Sequence, residues 1–218
     1  MTHQKRLPAP KHYPIERKET KYVSTIKGSR SSEDAIPAVV LLRDVLGYAD
    51  TEKEAKEIVR NGDMERNGDR IRDIKEGIGI MDVVKILEKE EKYRTVRRGK
   101  YLEFVPVEDS RVAAKITGKD SRGEEYVYRL HSGENYRTGD EYSTGNTLVF
   151  DGSVKEVELK EGAEVLVIRG RHAGEVAEVV EMEDEGIGRD AIIENEQEIE
   201  IGTENLIAIE DLKVIGDE

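Results

Sequence analysis

Charged side chains outnumber hydrophobic ones in this 218-residue chain, 38% against 36%. That ratio excludes one large core and favours small, sheet-rich modules, two or three of which fit the length. Two Phe and no Trp point the same way. The absence of Cys removes disulfides, thiolate metal sites and a Cys nucleophile. No apolar run approaches the roughly 20 residues of a membrane span, and the N-terminus has no apolar signal core. The chain is read as cytoplasmic.

Charge is unevenly placed. Residues 1–30 hold eight bases and two acids, a net +6; the chain as a whole is −13, so the remaining 188 residues carry −19. A basic segment broken by Pro8, Pro10 and Pro14 reads as an extended arm reaching a polyanion, because phosphates reward local Lys/Arg density whatever the net charge. Tyr13 and Tyr22 among its bases suit stacking on RNA. The arm is expected to be disordered until RNA orders it, so that deleting it leaves the rest folded. Acids spread over every later module suggest a protein working in concentrated salt, where screening falls to about 3 Å at 1 M. Residues 181–218 carry fourteen acids against Arg189 and Lys213. Full folding is therefore expected only near or above about 1 M salt.

Past the arm, Ser31–Asp34 has capping-box spacing. Ile36, Val39, Val40, Leu42, Val45 and Leu46 follow with helical period, Gly47 stops the helix, and Pro37 argues for a start at that residue. Thr51–Glu54 caps a second helix that buries Ala55, Ile58 and Val59 and ends at Asn61-Gly62. Asn67-Gly68 turns a hairpin between Met64–Arg66 and Arg70–Arg72, and Ile78, Ile80, Val83, Val84 and Ile86 supply further short strands. From Tyr101 the chain reads as all-β. Strands are expected at Tyr101–Val107, Val112–Ile116, Glu125–His131, Thr147–Phe150, Val154–Leu159, Val165–Ile168, Val176–Met182, Ala191–Ile193, Ile199–Ile201 and Leu206–Ile209. Turns are expected at Asp120–Gly123 and Ser132-Gly133.

Catalytic signals are weak. His3, His12, His131 and His172 show no ligand spacing. There is no nucleophile elbow, and Gly77-Ile-Gly79 lacks the Lys-Ser/Thr of a phosphate loop. No cofactor, metal or small-molecule substrate is expected.

Two constellations carry more. Leu42, Gly47, Glu54-Ala55, Ile58-Val59, Asn61-Gly62, Asn67-Gly68 and Asp82–Val84 resemble the small RNA-binding domain shared by ribosomal proteins, pseudouridine synthases and tyrosyl-tRNA synthetases. Gly162–Val179 resembles a KOW motif, two strands around a loop opened by Gly170 and Gly174, with Arg169, Arg171 and His172 at its tip. Ala173 and Ala177 stand where that motif usually has Lys and Gly. Both modules behind an arm containing Lys5–Pro14, together with Leu42–Ala49, Gly79–Val84 and Val214-Ile-Gly216, resemble the e-type fourth small-subunit ribosomal protein family of archaea and eukaryotes. The acid load suggests a halophilic archaeal member.

The resemblance implies a non-catalytic rRNA-binding protein with small-subunit rRNA and neighbouring ribosomal proteins as partners and no membrane. The implied fold class is α+β and multi-modular. A basic arm over residues 1–36 precedes a helical-pair and hairpin RNA-binding domain over 37–100, a central β domain over 101–160 and a KOW, SH3-like β-barrel over 161–218. RNA contacts are expected from Lys5, Arg6, Lys11, His12, Tyr13, Arg17, Lys18, Lys21, Lys27 and Arg30 in the arm. Arg43, Lys53, Lys56, Arg60, Arg66, Arg70 and Arg72 are expected from the second module, and Arg169, Arg171 and His172 from the loop. Arg60, Arg66, Arg70 and Arg72 are expected to act together. An RNA-modifying enzyme with an RNA-targeting module and a KOW-type transcription factor are the alternatives.

Overall fold

The computed structural model describes residues 4–123, 125–183, 190–195 and 197–214. The Ile215-Gly216 part of the family-like ending and much of the acidic tail lie outside these. The described chain forms two compact units. One is built from the chain up to Val96 with Lys100–Ser110, the other from Arg97–Gly99 with residues 111–214.

In the first unit, β1 (Ala35–Pro37) pairs antiparallel with β4 (Gly77–Gly79). A single helical turn, α1 (Ala38–Val40), follows Pro37 and runs on as a π-helical turn over Leu41–Val45, with Ala38–Leu42 fully buried. The first helix thus starts after Pro37, as the ring's fixed φ favours. Ser31–Asp34 forms only a local turn, and Ile36 lies in β1. The second helix, α2 (Glu52–Asn61), has the expected ends. Thr51 Oγ1 accepts from the Glu54 N–H at 3.2 Å, the Glu54 carboxylate accepts from the Asp50 N–H at 2.8 Å, and Gly62 closes the helix at φ 81°. Its buried stripe is Ala55 and Val59; Ile58 is half-buried.

β2 (Met64–Arg66) and β3 (Asp69–Arg70) form the hairpin, with Asn67 and Gly68 both at positive φ. β5 (Val83–Ile86), β6 (Glu91–Arg98) and β7 (Tyr101–Pro106) complete a sheet of order β3-β2-β5-β6-β7. Residues 101–106, expected in the central domain, belong to this sheet, so the expected boundary at residue 100 falls inside it.

The arm is not an extended tail. Residues 4–30 are folded onto this unit, and Arg6, His12, Tyr13, Val23 and Arg30 are at most 6% exposed. The three Pro block a helix but leave the turns that seat these side chains. Deleting the arm would open the first unit's core, contrary to the expectation that the remainder is independent of it.

In the second unit, β8 (Val112–Arg122), β9 (Glu125–Leu130), β10 (Asn135–Thr138), β11 (Thr147–Asp151) and β12 (Ser153–Val157) form a sheet of order β10-β9-β8-β11-β12. Asp120–Arg122 extends β8 and is not part of a turn; its ladder with β9 reaches Arg122–Glu125. Tyr128, Ile116, Leu130, Ala114 and Leu148 make its core. β13 (Glu164–Val167), β14 (Val176–Glu183), β15 (Asp190–Glu194), β16 (Glu198–Gly202) and β17 (Leu206–Ala208) form the last sheet, ordered β16-β15-β14-β13-β17. Its ends are the separate edges β16 and β17, so the described residues form an open-ordered sheet where a closed barrel was expected. Inward-facing Val165, Val167, Val179, Ile193 and Leu206 hold it together by period-2 alternation.

Candidate nucleic-acid interface

Each basic residue falls into one of two environments, and carbonyl and carboxylate neighbours decide which. Arg6 is 1% exposed. Its Nε donates to the Glu16 carbonyl at 2.5 Å and Nη2 to the Glu19 and Asp44 carboxylates at 3.0 and 2.9 Å. Arg30 grips Asp82 through Nε at 2.9 Å and Nη2 at 2.5 Å, both side chains 3% exposed. The His12 ring lies 3.0 Å from the Ala35 carbonyl, and burial raises the Tyr13 pKa. Arg17 clamps the Ala9 and Pro10 carbonyls at 2.6 and 2.8 Å, Arg43 pairs with Asp44 at 2.8 Å, and Arg66 donates to the Gly77 carbonyl at 2.7 Å. These seven were expected on RNA. In this structure Arg6, His12, Tyr13 and Arg30 are interior, while Arg17, Arg43 and Arg66 brace backbone or carboxylate. A desolvated guanidinium needs such acceptors.

Arg30 also explains Gly77-Ile-Gly79. A Cβ at Gly77 would stand 2.7 Å from the Arg30 Cβ, and one at Gly79 would stand 3.2 Å from its Cδ. Those glycines clear a channel for an arginine side chain.

Five exposed bases gather at one groove in the first unit, an open cavity of about 670 Å³ between α2 and the Arg72–Lys75 turn. Lys27, Lys56, Arg60, Arg72 and Lys75 line it with only Glu52 and Asp73 opposing. Lys27 pairs with Asp73 at 2.8 Å, which raises the lysine pKa and lowers the aspartate's. The turn is pinned by Glu76 Oε1, which accepts from the N–H groups of Arg72 and Asp73 at 2.8 and 3.0 Å. With Asp73 occupied, Lys56, Arg60 and Arg72 hold no ion pair among the described residues. The expected foursome is therefore divided: Arg60 and Arg72 share the groove, Arg66 turns to Gly77, and Arg70 packs against Gly62. Lys75 was missed; only its place in the basic run Arg72-Asp-Ile-Lys75 signals it.

Elsewhere on the arm, Lys5, Lys11, Lys18 and Lys21 are exposed, with Lys21 Nζ 5.3 Å from the ring centre of Tyr22. Lys53 is exposed on α2. In the second unit Arg169 and Arg171 are exposed on a loop whose Gly170 and Gly174 take φ 94° and 95°. His172 is half-buried, its Nδ1 3.1 Å from both Glu175 oxygens.

A family model described as the KOW motif matches residues 161–194, this loop and its strands. The small ribosomal subunit protein eS4 of Archaeoglobus fulgidus is 37% identical over 81% of this chain and 78% of its own length. That of Halorubrum lacusprofundi is 35% identical over 83% and 80%. The chain belongs to the eS4 family of small ribosomal subunit proteins. Its relatives include halophilic archaea. The crystal structure of the 30S ribosomal protein S4e from Thermoplasma acidophilum shares the fold, with a TM-score of 0.67 at 21% identity, over 81% of this chain and 95% of that one.

Family-like motif positions prove largely architectural. Asp82 accepts from Arg30, from Asn67 Nδ2 at 2.7 Å and from the Gly79 N–H at 2.7 Å, and Asn67 Oδ1 accepts from the Val83 N–H at 2.8 Å. Among the described residues no group of His, Asp and Glu is placed to hold a metal ion, and no helix is long and apolar enough to cross a membrane.

Proposed function

We propose that this eS4-family chain binds small-subunit rRNA through the first unit's groove, with the exposed arm lysines and the loop arginines of the second unit as further phosphate contacts. The protein is a structural constituent of the small ribosomal subunit, not an enzyme, and its place is the ribosome, in the cytoplasm of an archaeal cell. One observation carries the binding reading. In a molecule of net charge −13, five cations converge on one open groove against two acids, one of them already paired. Phosphate oxygens are the groups such a groove recognises, and Arg adds planar two-point contacts.

The modular reading goes with it: an arm folded onto a helical-pair RNA-binding module, then a central β module and a KOW module, with the first boundary near residue 110. Neighbouring ribosomal proteins are the further partners. Filter binding of a small-subunit rRNA transcript tests the groove. The double variant R60E/R72E should lose most of the affinity at fixed salt while its unfolding free energy moves by less than about 0.5 kcal/mol, as surface changes do. Undiminished affinity would remove the groove from the interface.

A further inference from the structure

The groove of the first unit is not cationic throughout. Three segments build it: Thr25–Lys27 from the arm, one face of α2, and the Arg72–Lys75 turn. The Lys27 N–H donates to the Lys75 carbonyl at 2.7 Å, and a parallel bridge between Lys27 and Glu76 holds the arm segment along the turn. Each segment gives the lining one aliphatic side chain: Ile26 from the arm, Val59 from α2 and Ile74 from the turn. Val59 and Ile74 are core residues whose remaining surface, 4% and 6%, lines the cavity, and Ile26 is half-buried. Lys56, Arg60 and Arg72 line the same cavity and are exposed, without an ion pair among the described residues. Lys56 and Arg60 stand about one turn apart on one side of α2. The cations therefore form a rim and the aliphatic side chains a floor.

Rim and floor suit different parts of a ligand. A phosphate gains from the rim and loses hydration on an apolar floor, so it stays with the cations. The flat face of a nucleobase is the part of RNA that an apolar floor suits. In a duplex the base faces are stacked on one another and do not reach a protein cavity; in an unpaired segment they are splayed out and free to do so. Duplex RNA would engage the rim and leave the floor uncovered. The cavity of about 670 Å³ lies within the roughly 300–1,000 Å³ of sites that enclose a whole small molecule. One nucleotide fits it with its phosphate at the mouth.

We infer that the groove seats an unpaired nucleotide of the rRNA, its phosphate held by Lys56, Arg60 and Arg72 and its base laid on Ile26, Val59 and Ile74. The inference rests on the groove reading proposed above and adds that the RNA is single-stranded where it enters. It also gives the arm a direct part in recognition, through Ile26, besides its part in the fold.

The test is competition against a labelled small-subunit rRNA transcript, with the full chain at fixed salt. Two single-stranded competitors of equal length and charge are compared: an oligoribonucleotide and its abasic counterpart, which keeps every phosphate and lacks the bases. The oligoribonucleotide should compete at least about fivefold better, the lower end of what one stacked base contributes. I26T, which alters the floor and removes no charge, should narrow that gap and leave the slope of log affinity against log salt unchanged, because the slope counts phosphate contacts. R60E/R72E should close the gap as well, since base and phosphate belong to one nucleotide, and as a surface change it reports even if I26T fails to fold. Equal competition by the two oligomers for the wild-type chain, with R60E/R72E weakening both, would overturn the unpaired-nucleotide inference and leave a phosphate-binding groove. A gap kept in full by a folded I26T would place the base elsewhere and overturn it too. Wild-type affinity of R60E/R72E for the transcript would remove the groove itself, and this inference with it.

Discussion

Asp82 shows how one residue ties the arm to the first unit. It is 2% exposed and accepts hydrogen bonds from Arg30, Asn67 and the Gly79 backbone. Removing one partner of a buried ion pair leaves the other charge uncompensated, so D82A should cost about 3 to 5 kcal/mol in denaturant unfolding. A change below 1 kcal/mol would mean the pair is dispensable. Lys115 is the converse, a buried cation with no carboxylate in contact among the described residues. Its ammonium donates to the Leu206 carbonyl at 2.6 Å and to that of Thr203. Burial pulls its pKa down to about 8, against the pull of Glu204 upward. The unfolded chain keeps this proton up to about pH 10.5, the folded chain only to about 8, so the unfolded state binds more protons between them. Stability should therefore rise from about pH 8 toward 9.5, below the range where the raised pKa values of Tyr13 and Tyr93 act in the opposite direction. K115M should lack that rise; the same rise in the variant would assign it to another group. Asp82 stood out in the sequence only as a motif position, without its ion pair, and Lys115 did not stand out at all. A buried Arg and a phosphate-binding Arg are the same letter, and Asp44 and Asp82, which help to distinguish them, lie 38 residues from Arg6 and 52 from Arg30.

At the scale of elements the sequence was a better guide, because caps and turns act within four residues. Thr51, Gly62 and Asn67-Gly68 sit where helix and hairpin signals placed them. The first helix was misread since apolar period continued through Ile36, which pairs in β1. β6 and β10 went unread: Glu91–Arg98 and Asn135–Thr138 are mostly polar, and only their neighbours make them strands. Cross-strand register reveals something composition alone does not. Glu164, Glu178, Glu194 and Glu198 stand directly opposite one another across β13, β14, β15 and β16, all exposed. Opposed like charges destabilise a sheet, and salt screens them. E178Q or E194Q should raise the thermal midpoint in dilute buffer, with the gain shrinking in about 1 M KCl, where screening is shortest. A gain independent of salt would attribute it to packing.

For the whole molecule, the family was legible because its motifs are local, while the interface was not, because it depends on which cations folding leaves without acids. The arm makes the point. Its +6 suggested a tail for RNA, yet Arg6 and Arg30 serve the fold, and the outward lysines are what remain for a partner. Loss of residues 1–30 should thus unfold the first unit, seen as a missing cooperative transition in calorimetry; a retained transition would return the arm to the status of a tail. The acid excess in a family with halophilic relatives fits a chain that folds fully only in strong salt, where counterion release contributes little and short-range Arg contacts and shape must carry recognition. The central claim is that the first unit's groove seats this chain on the small subunit. Sucrose-gradient sedimentation of reconstituted small subunits in about 1 M KCl, where long-range attraction is screened, measures it directly. The wild-type chain should travel with the subunit and K56E/R60E/R72E should stay at the top of the gradient with an unchanged folding midpoint. A folded triple variant that sediments with the subunit as the wild type does would contradict it.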